Sequence, residues 1–201
     1  MAVTIGVVLV AFVLTTGIIT FSTLRRVTAG ANPDSTALAD YGPVPAFHLT
    51  ERSGDPVSLA DLRDRIWLAD FIFTNCAGPC PLMTMHMCEL QKALSDSTPV
   101  RFVSFTVDPD RDTPQALSEY ADRFGASRQR WWFLTGDMVT ITHVAVDGFH
   151  VGSREDPILH STLFALVDRR GHIRGYYHSD DPDLIRHVTD DVAVLLRDRR
   201  A

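Results

Sequence analysis

The chain has 201 residues, 45 % of them hydrophobic and 22 % charged, with a net charge of −6. That is ordinary globular composition, and enough chain for one domain with a proper core. The negative balance and the lack of a lysine–arginine block give no footing for nucleic-acid binding, and three cysteines are too few for a disulfide-stapled scaffold.

The N-terminus differs in kind from the rest. Ala2 to Leu24 contains no charged residue. At 1.5 Å per residue, a helix of this length crosses a hydrocarbon core of ~30 Å. A cleaved signal peptide is the alternative, with Ala29-Gly30-Ala31 as an acceptable cleavage site. The apolar run is too long for an ordinary signal, however, and Arg25-Arg26 intervenes. An uncleaved transmembrane anchor is therefore expected over residues 1–26. Residues 27–40, rich in small and polar residues, read as a flexible linker. Arg25-Arg26 alone would keep the following domain in the cytoplasm. The thiol chemistry below favours the extracytoplasmic side, and an upstream start codon would supply the missing basic residues.

From Tyr41 onward, strands and helices alternate. Pro45 to Thr50 reads as a strand, followed by a Gly54-Asp55 turn and one helical turn at Ser58–Leu62. Ile66 to Phe73 is almost wholly apolar, as a central strand covered on both faces should be. Asp70 interrupts it, so a polar partner is expected there. A helix follows from Pro81 to about Leu94, then a strand from Val100 to Val107. Thr113 and Pro114 suit the N-cap and first position of the next helix, which ends near Phe124-Gly125. Trp131 to Leu134 reads as a strand and Asp137 to Val146 as a helix. Thr162–Val167 and Ile173–Tyr177 form a hairpin around Asp168-Arg169-Arg170-Gly171. Pro182 to Arg197 is a final helix, with Leu184, Val188, Val192 and Leu195 on its apolar face. This order is that of a thioredoxin-like α/β fold over residues 41–198.

Chemistry concentrates in Thr74-Asn75-Cys76-Ala77-Gly78-Pro79-Cys80-Pro81. Pro81 suits a first helical position and so puts Cys80 at the N-cap, where the helix dipole lowers a thiol pKa. Three intervening residues still permit a Cys76–Cys80 disulfide. They also leave room for a soft cation, and two thiolates alone select Cu(I), zinc or an iron–sulfur centre. His160, just ahead of the hairpin, is the candidate third ligand. His86 lies more than a turn into the helix and points away from the loop mouth. Met83, Met87, Leu90 and Leu94 trace a core stripe, with Met85 off it. Cys88 reads as a spare thiol in a second interface. One of Trp131 and Trp132 is expected to be buried and the other partly exposed. Asp108 and Asp112 are candidates for a supporting role near the metal, though turn and capping chemistry explains them better.

At these residues the chain resembles the Sco/SenC family of membrane-tethered, thioredoxin-like copper proteins. The likeness is carried by Tyr41-Gly42-x-Val44-Pro45-x-Phe47-x-Leu49-Thr50, by Asp70 to Pro81, by Val107-Asp108-Pro109-x-x-Asp112-Thr113-Pro114, and by His160-Ser161 with Leu166-x-Asp168-x-x-Gly171. One departure is Ala77, where many members carry proline. The resemblance implies one copper ion, Cu(I) or Cu(II), held by Cys76, Cys80 and His160. It further implies a metallochaperone, with thiol reduction as the enzyme-like alternative, and the domain is expected to be monomeric. Its client would be the copper-bearing subunit of a haem–copper oxidase, whose binuclear centre it would load. Two other functions use the same residues: a thiol–disulfide oxidoreductase with Cys76 and Cys80 as the redox pair, and a copper or redox sensor.

Overall fold

The computed structural model describes residues 38–153 and 162–198. The expected anchor, most of the linker and His160 lie outside the described residues. Among those described, no helix is long and apolar enough to cross a membrane.

Seven strands form one mixed sheet: β1 (His48–Glu51), β2 (Pro56–Ser58), β3 (Ile66–Ile72), β4 (Val100–Thr106), β5 (Trp131–Thr135), β6 (Leu163–Val167) and β7 (Ile173–His178), in the order β2-β1-β5-β4-β3-β6-β7. β3, β4 and β5 are parallel, whereas β6 is antiparallel to both β3 and β7. The helices are α1 (Cys80–Ala93), α2 (Pro114–Arg123), α3 (Met138–Thr142) and α4 (Leu184–Arg197). The β3-α1-β4-α2-β5 unit followed by a hairpin and helix is the thioredoxin-like order expected from the sequence.

β3 is buried along its whole length because both faces are covered. Ile66, Leu68 and Ile72 pack under α1, α2 and α4, against Met83, Met87, Leu117, Val188 and Val192. Trp67, Ala69 and Phe71 face the other layer, with Phe105, Ile141 and Phe149. The methionine stripe is core as expected, and Met85 is exposed. Trp131 is fully buried and Trp132 partly exposed.

Three local expectations change. β2 pairs with β1 just ahead of the 3₁₀ turn Leu59–Leu62; three residues are too few to show a period. The helix expected over 137–146 is a single turn, α3, which passes into a π-helical turn at His143–Gly148. Asp70 is completely buried, and neither of its carboxyl oxygens meets a hydrogen-bond partner among the described residues. The hairpin turn does form as expected, with Gly171 at φ +81°. There Asp168 accepts from the backbone N–H groups of Arg170 (2.9 Å) and His172 (3.0 Å).

Candidate metal centre

The loops after β3, β4, β5 and β7 all lie at the carboxyl ends of the parallel strands, where open α/β sheets place their ligands. The loop after β3 carries the cysteines. Leu163 begins β6 at this same end, because β6 runs antiparallel to β3. His160, two residues before Thr162, lies outside the described residues.

Cys76 is partly exposed in the loop. Its N–H bonds the Phe73 carbonyl at 3.3 Å, and its Sγ accepts from Gly78 N–H at 3.4 Å. Cys80 is 4 % exposed, on the inner side of α1. All three cysteines are free thiols. Among the described residues, no three His, Cys, Asp or Glu side chains converge on one point. Cys76 and Cys80 are the two soft side chains that this loop and the start of α1 bring to the carboxyl end of the sheet.

The electrostatics of Cys80 reverse the sequence-based expectation. Pro79 occupies the N-cap and Cys80 is the first helical residue. Burial pushes its thiol up to about 12, and the neighbouring Cys76 thiol adds to the rise. Losing water outweighs the helix terminus. The free Cys80 thiol therefore resists ionisation.

Asp112 has a role that sequence reasoning named only in part. It is fully buried, and it accepts from the Thr74 N–H at 3.0 Å, the Thr74 hydroxyl at 2.6 Å and the Thr106 hydroxyl at 2.5 Å. Thr74 stands two residues before Cys76. Asp112 thus anchors the root of the cysteine loop to β4 and to the start of α2. Asp108 does turn chemistry: its carbonyl accepts from Arg111 N–H (3.1 Å) and Asp112 N–H (2.9 Å), and its carboxyl pairs with Arg111 at 2.7 Å. The α2 N-cap is Thr113, which accepts from Ala116 N–H at 3.2 Å.

Asp70 sits on the face of β3 that also packs against Cys80, six residues before Cys76. Burial pushes its carboxyl up to about 7. Ser104, its register partner on β4, opposes the shift, but without a well-formed hydrogen bond to it; that hydroxyl accepts from Trp131 Nε1 at 2.9 Å. His86 is half-buried beside Phe164 rather than at the loop mouth. Cys88 donates to the Phe124 carbonyl at 3.1 Å, between α1 and the end of α2, the second-interface position expected of it.

The sequence model of the SCO1/SenC family matches residues 36–196. The SCO1 protein homolog of Bacillus subtilis is 37 % identical over 155 residues, which cover 74 % of this chain and 80 % of that one. Among solved structures, BsSco superposes with a TM-score of 0.69 at 35 % identity, covering 79 % of this chain and 95 % of that one. BsSco is described as a disulfide-switch member of the Sco family of cytochrome c oxidase assembly proteins. The copper-bound ScoI of Bradyrhizobium japonicum shares the fold at 24 % identity, with a TM-score of 0.63, covering 77 % of this chain and 99 % of that one.

Proposed function

The chain belongs to the SCO1/SenC family, and from that premise we propose that it is a copper carrier. It holds one copper ion through Cys76, Cys80 and His160 and delivers it to the binuclear copper centre of cytochrome c oxidase. One observation carries this reading: two soft donors, Cys76 partly exposed in the loop and Cys80 buried at the start of α1, stand at the carboxyl end of the sheet, where β6 begins. Thiolates prefer Cu(I), and an imidazole extends the site toward Cu(II). Copper is the cargo here, so the site must both bind it and release it. The N-terminal apolar segment tethers the domain to a membrane, with the copper loop on the extracytoplasmic side.

His160→Ala tests the ligand set. The variant is expected to lose tight copper binding while still forming the Cys76–Cys80 disulfide, as read by Cu(I) competition and by thiol titration. Unchanged copper affinity would remove His160 from the site.

A second reading, thiol–disulfide exchange with the cysteines of the same client, is favoured by the pairing of accessible Cys76 with buried Cys80. In that arrangement the outer thiol meets a client disulfide and the inner one resolves it. It requires both cysteines but not His160, so the same variant separates the two.

A further inference from the structure

The two ends of the sheet carry opposite charge. Helices α1, α2 and α4 run back along the sheet and finish where β3, β4 and β5 begin. Arg130 Nη2 reaches the Leu94 carbonyl at 2.8 Å, and Arg169 Nη1 reaches Leu195 at 2.8 Å, which places the ends of α1 and α4 there. Each of the three helices has a basic residue in its last turn: Lys92, Arg123 and Arg197.

Beside them lies a polar cleft of about 180 Å³, lined by Arg65, Arg101, Arg130 and Asp96. Arg101 stacks 4.0 Å over Trp132 and donates to the Gln129 carbonyl. Among the described residues, the Nε atoms of Arg101 and Arg130 are buried without hydrogen-bond partners. Acids at this end, Asp40, Asp64 and Asp198 among them, are fewer than the bases, and others are bound to bases: Asp168 pairs with Arg174 at 2.9 Å, Asp96 with Arg130 at 2.7 Å and Asp122 with Arg128 at 2.6 Å. At the cysteine-loop end the loops carry Asp108, Asp110, Asp137, Asp180 and Asp181, and the bases Arg111 and Arg186 are bound to Asp108 and Asp183.

The described chain enters the fold at the basic end. Arg174, held by Asp168 at 2.9 Å, donates to the carbonyls of Ala39 (2.6 Å) and Leu38 (2.7 Å). Tyr41 N–H and Val44 N–H then bond Ile173 and Gly171.

We propose that this basic end is a docking surface for the anionic phosphate headgroups of a bilayer, and that docking points the cysteine loop away from the membrane. The proposal rests on the membrane-tether reading. On that reading, residues 27–37 hold this end within roughly 40 Å of the headgroups, their extended length. Guanidinium groups match phosphate in charge and geometry. The acidic end is repelled by the same surface, so one field both attracts and orients the domain. β3 alone spans roughly 23 Å, which lifts the loop clear of the headgroups toward a client.

The full chain in lipid nanodiscs provides the test, with a headgroup spin label and amide NMR as the readout. In phosphatidylcholine discs containing a third phosphatidylglycerol, broadening is expected at Arg65, Arg101 and Arg170 and not at Asp110 or Asp180. High salt reverses it. R65Q/K92Q/R170Q, three exposed side chains, lowers the docked-to-undocked ratio roughly tenfold or more; D110N/D180N leaves it unchanged. Equal broadening of both ends, or no response to R65Q/K92Q/R170Q, would overturn the proposal. So would inorganic phosphate shifting these resonances while anionic discs do not broaden them. Gel filtration on pure phosphatidylcholine discs tests the tether alone: a chain that leaves neutral discs yet docks on anionic ones refutes the tether and not the surface.

Discussion

Asp70→Asn is expected to stabilise the reduced protein, by an amount that grows as pH rises from about 4 to 8. The folded-state carboxyl is pushed up to about 7 from an ordinary 3.8 by complete burial. Between those values the folded protein holds a proton that the unfolded chain has released. Stability therefore falls as pH rises through this window, the reverse of a salt-bridged aspartate. The effect is on the order of a few kcal/mol, since each tenfold step in ionisation is about 1.4 kcal/mol. Asparagine does not titrate, so the difference between the two unfolding curves isolates Asp70 from every other group. Denaturant unfolding at several pH values from 5 to 8, under reducing conditions, measures it. Parallel profiles for the two proteins would show that Asp70 does not carry this penalty.

Asp112→Ala has the second large effect. It strips one buried acceptor from three donors at once: the Thr74 N–H, the Thr74 hydroxyl and the Thr106 hydroxyl. An unmet buried donor costs about 1–3 kcal/mol; the Thr106 hydroxyl is buried and the two Thr74 donors are partly so, so a loss on the order of 2–4 kcal/mol is expected. Thr74→Val removes the hydroxyl but keeps the backbone donor, and should cost about a third as much. The loop effect is separable from the fold effect by thiol reactivity. Cys76 should label faster in both variants at temperatures where unfolding is negligible, because its loop loses its root. Wild-type labelling rates in folded Asp112→Ala would show that the anchor does not restrain the loop.

These two aspartates mark where sequence reading stops. α4 was legible because Leu184, Val188, Val192 and Leu195 repeat at helical spacing, and all four are buried. β3 was legible because a seven-residue stretch that is apolar at every position but Asp70 has few other homes. The interruption at Asp70 was visible too, but its lack of a partner was not. Whether a donor faces a strand residue depends on which residues the neighbouring strands bring opposite it. Asp112 meets Thr74 across 38 positions, and no local pattern signals that contact. The ionisation of Cys80 was misjudged for the same reason. Its place near a helix start is local, whereas the burial that outweighs it comes from packing against the rest of the core. The cysteine pair and its loop could be read because chemistry and spacing coincide within five residues. The basic residues closing α1, α2 and α4 were each in plain view. Only the parallel topology brings them to one end.

The copper reading stands or falls on one titration. Anaerobic Cu(I) added to the reduced full chain, against a competing chromophoric chelator, is expected to fill a single tight site. The same chain carrying the Cys76–Cys80 disulfide, and the Cys76→Ser and Cys80→Ser variants, should lose that site. Tight binding of one Cu(I) that survives either the disulfide or both serine substitutions would place the metal elsewhere and contradict the account.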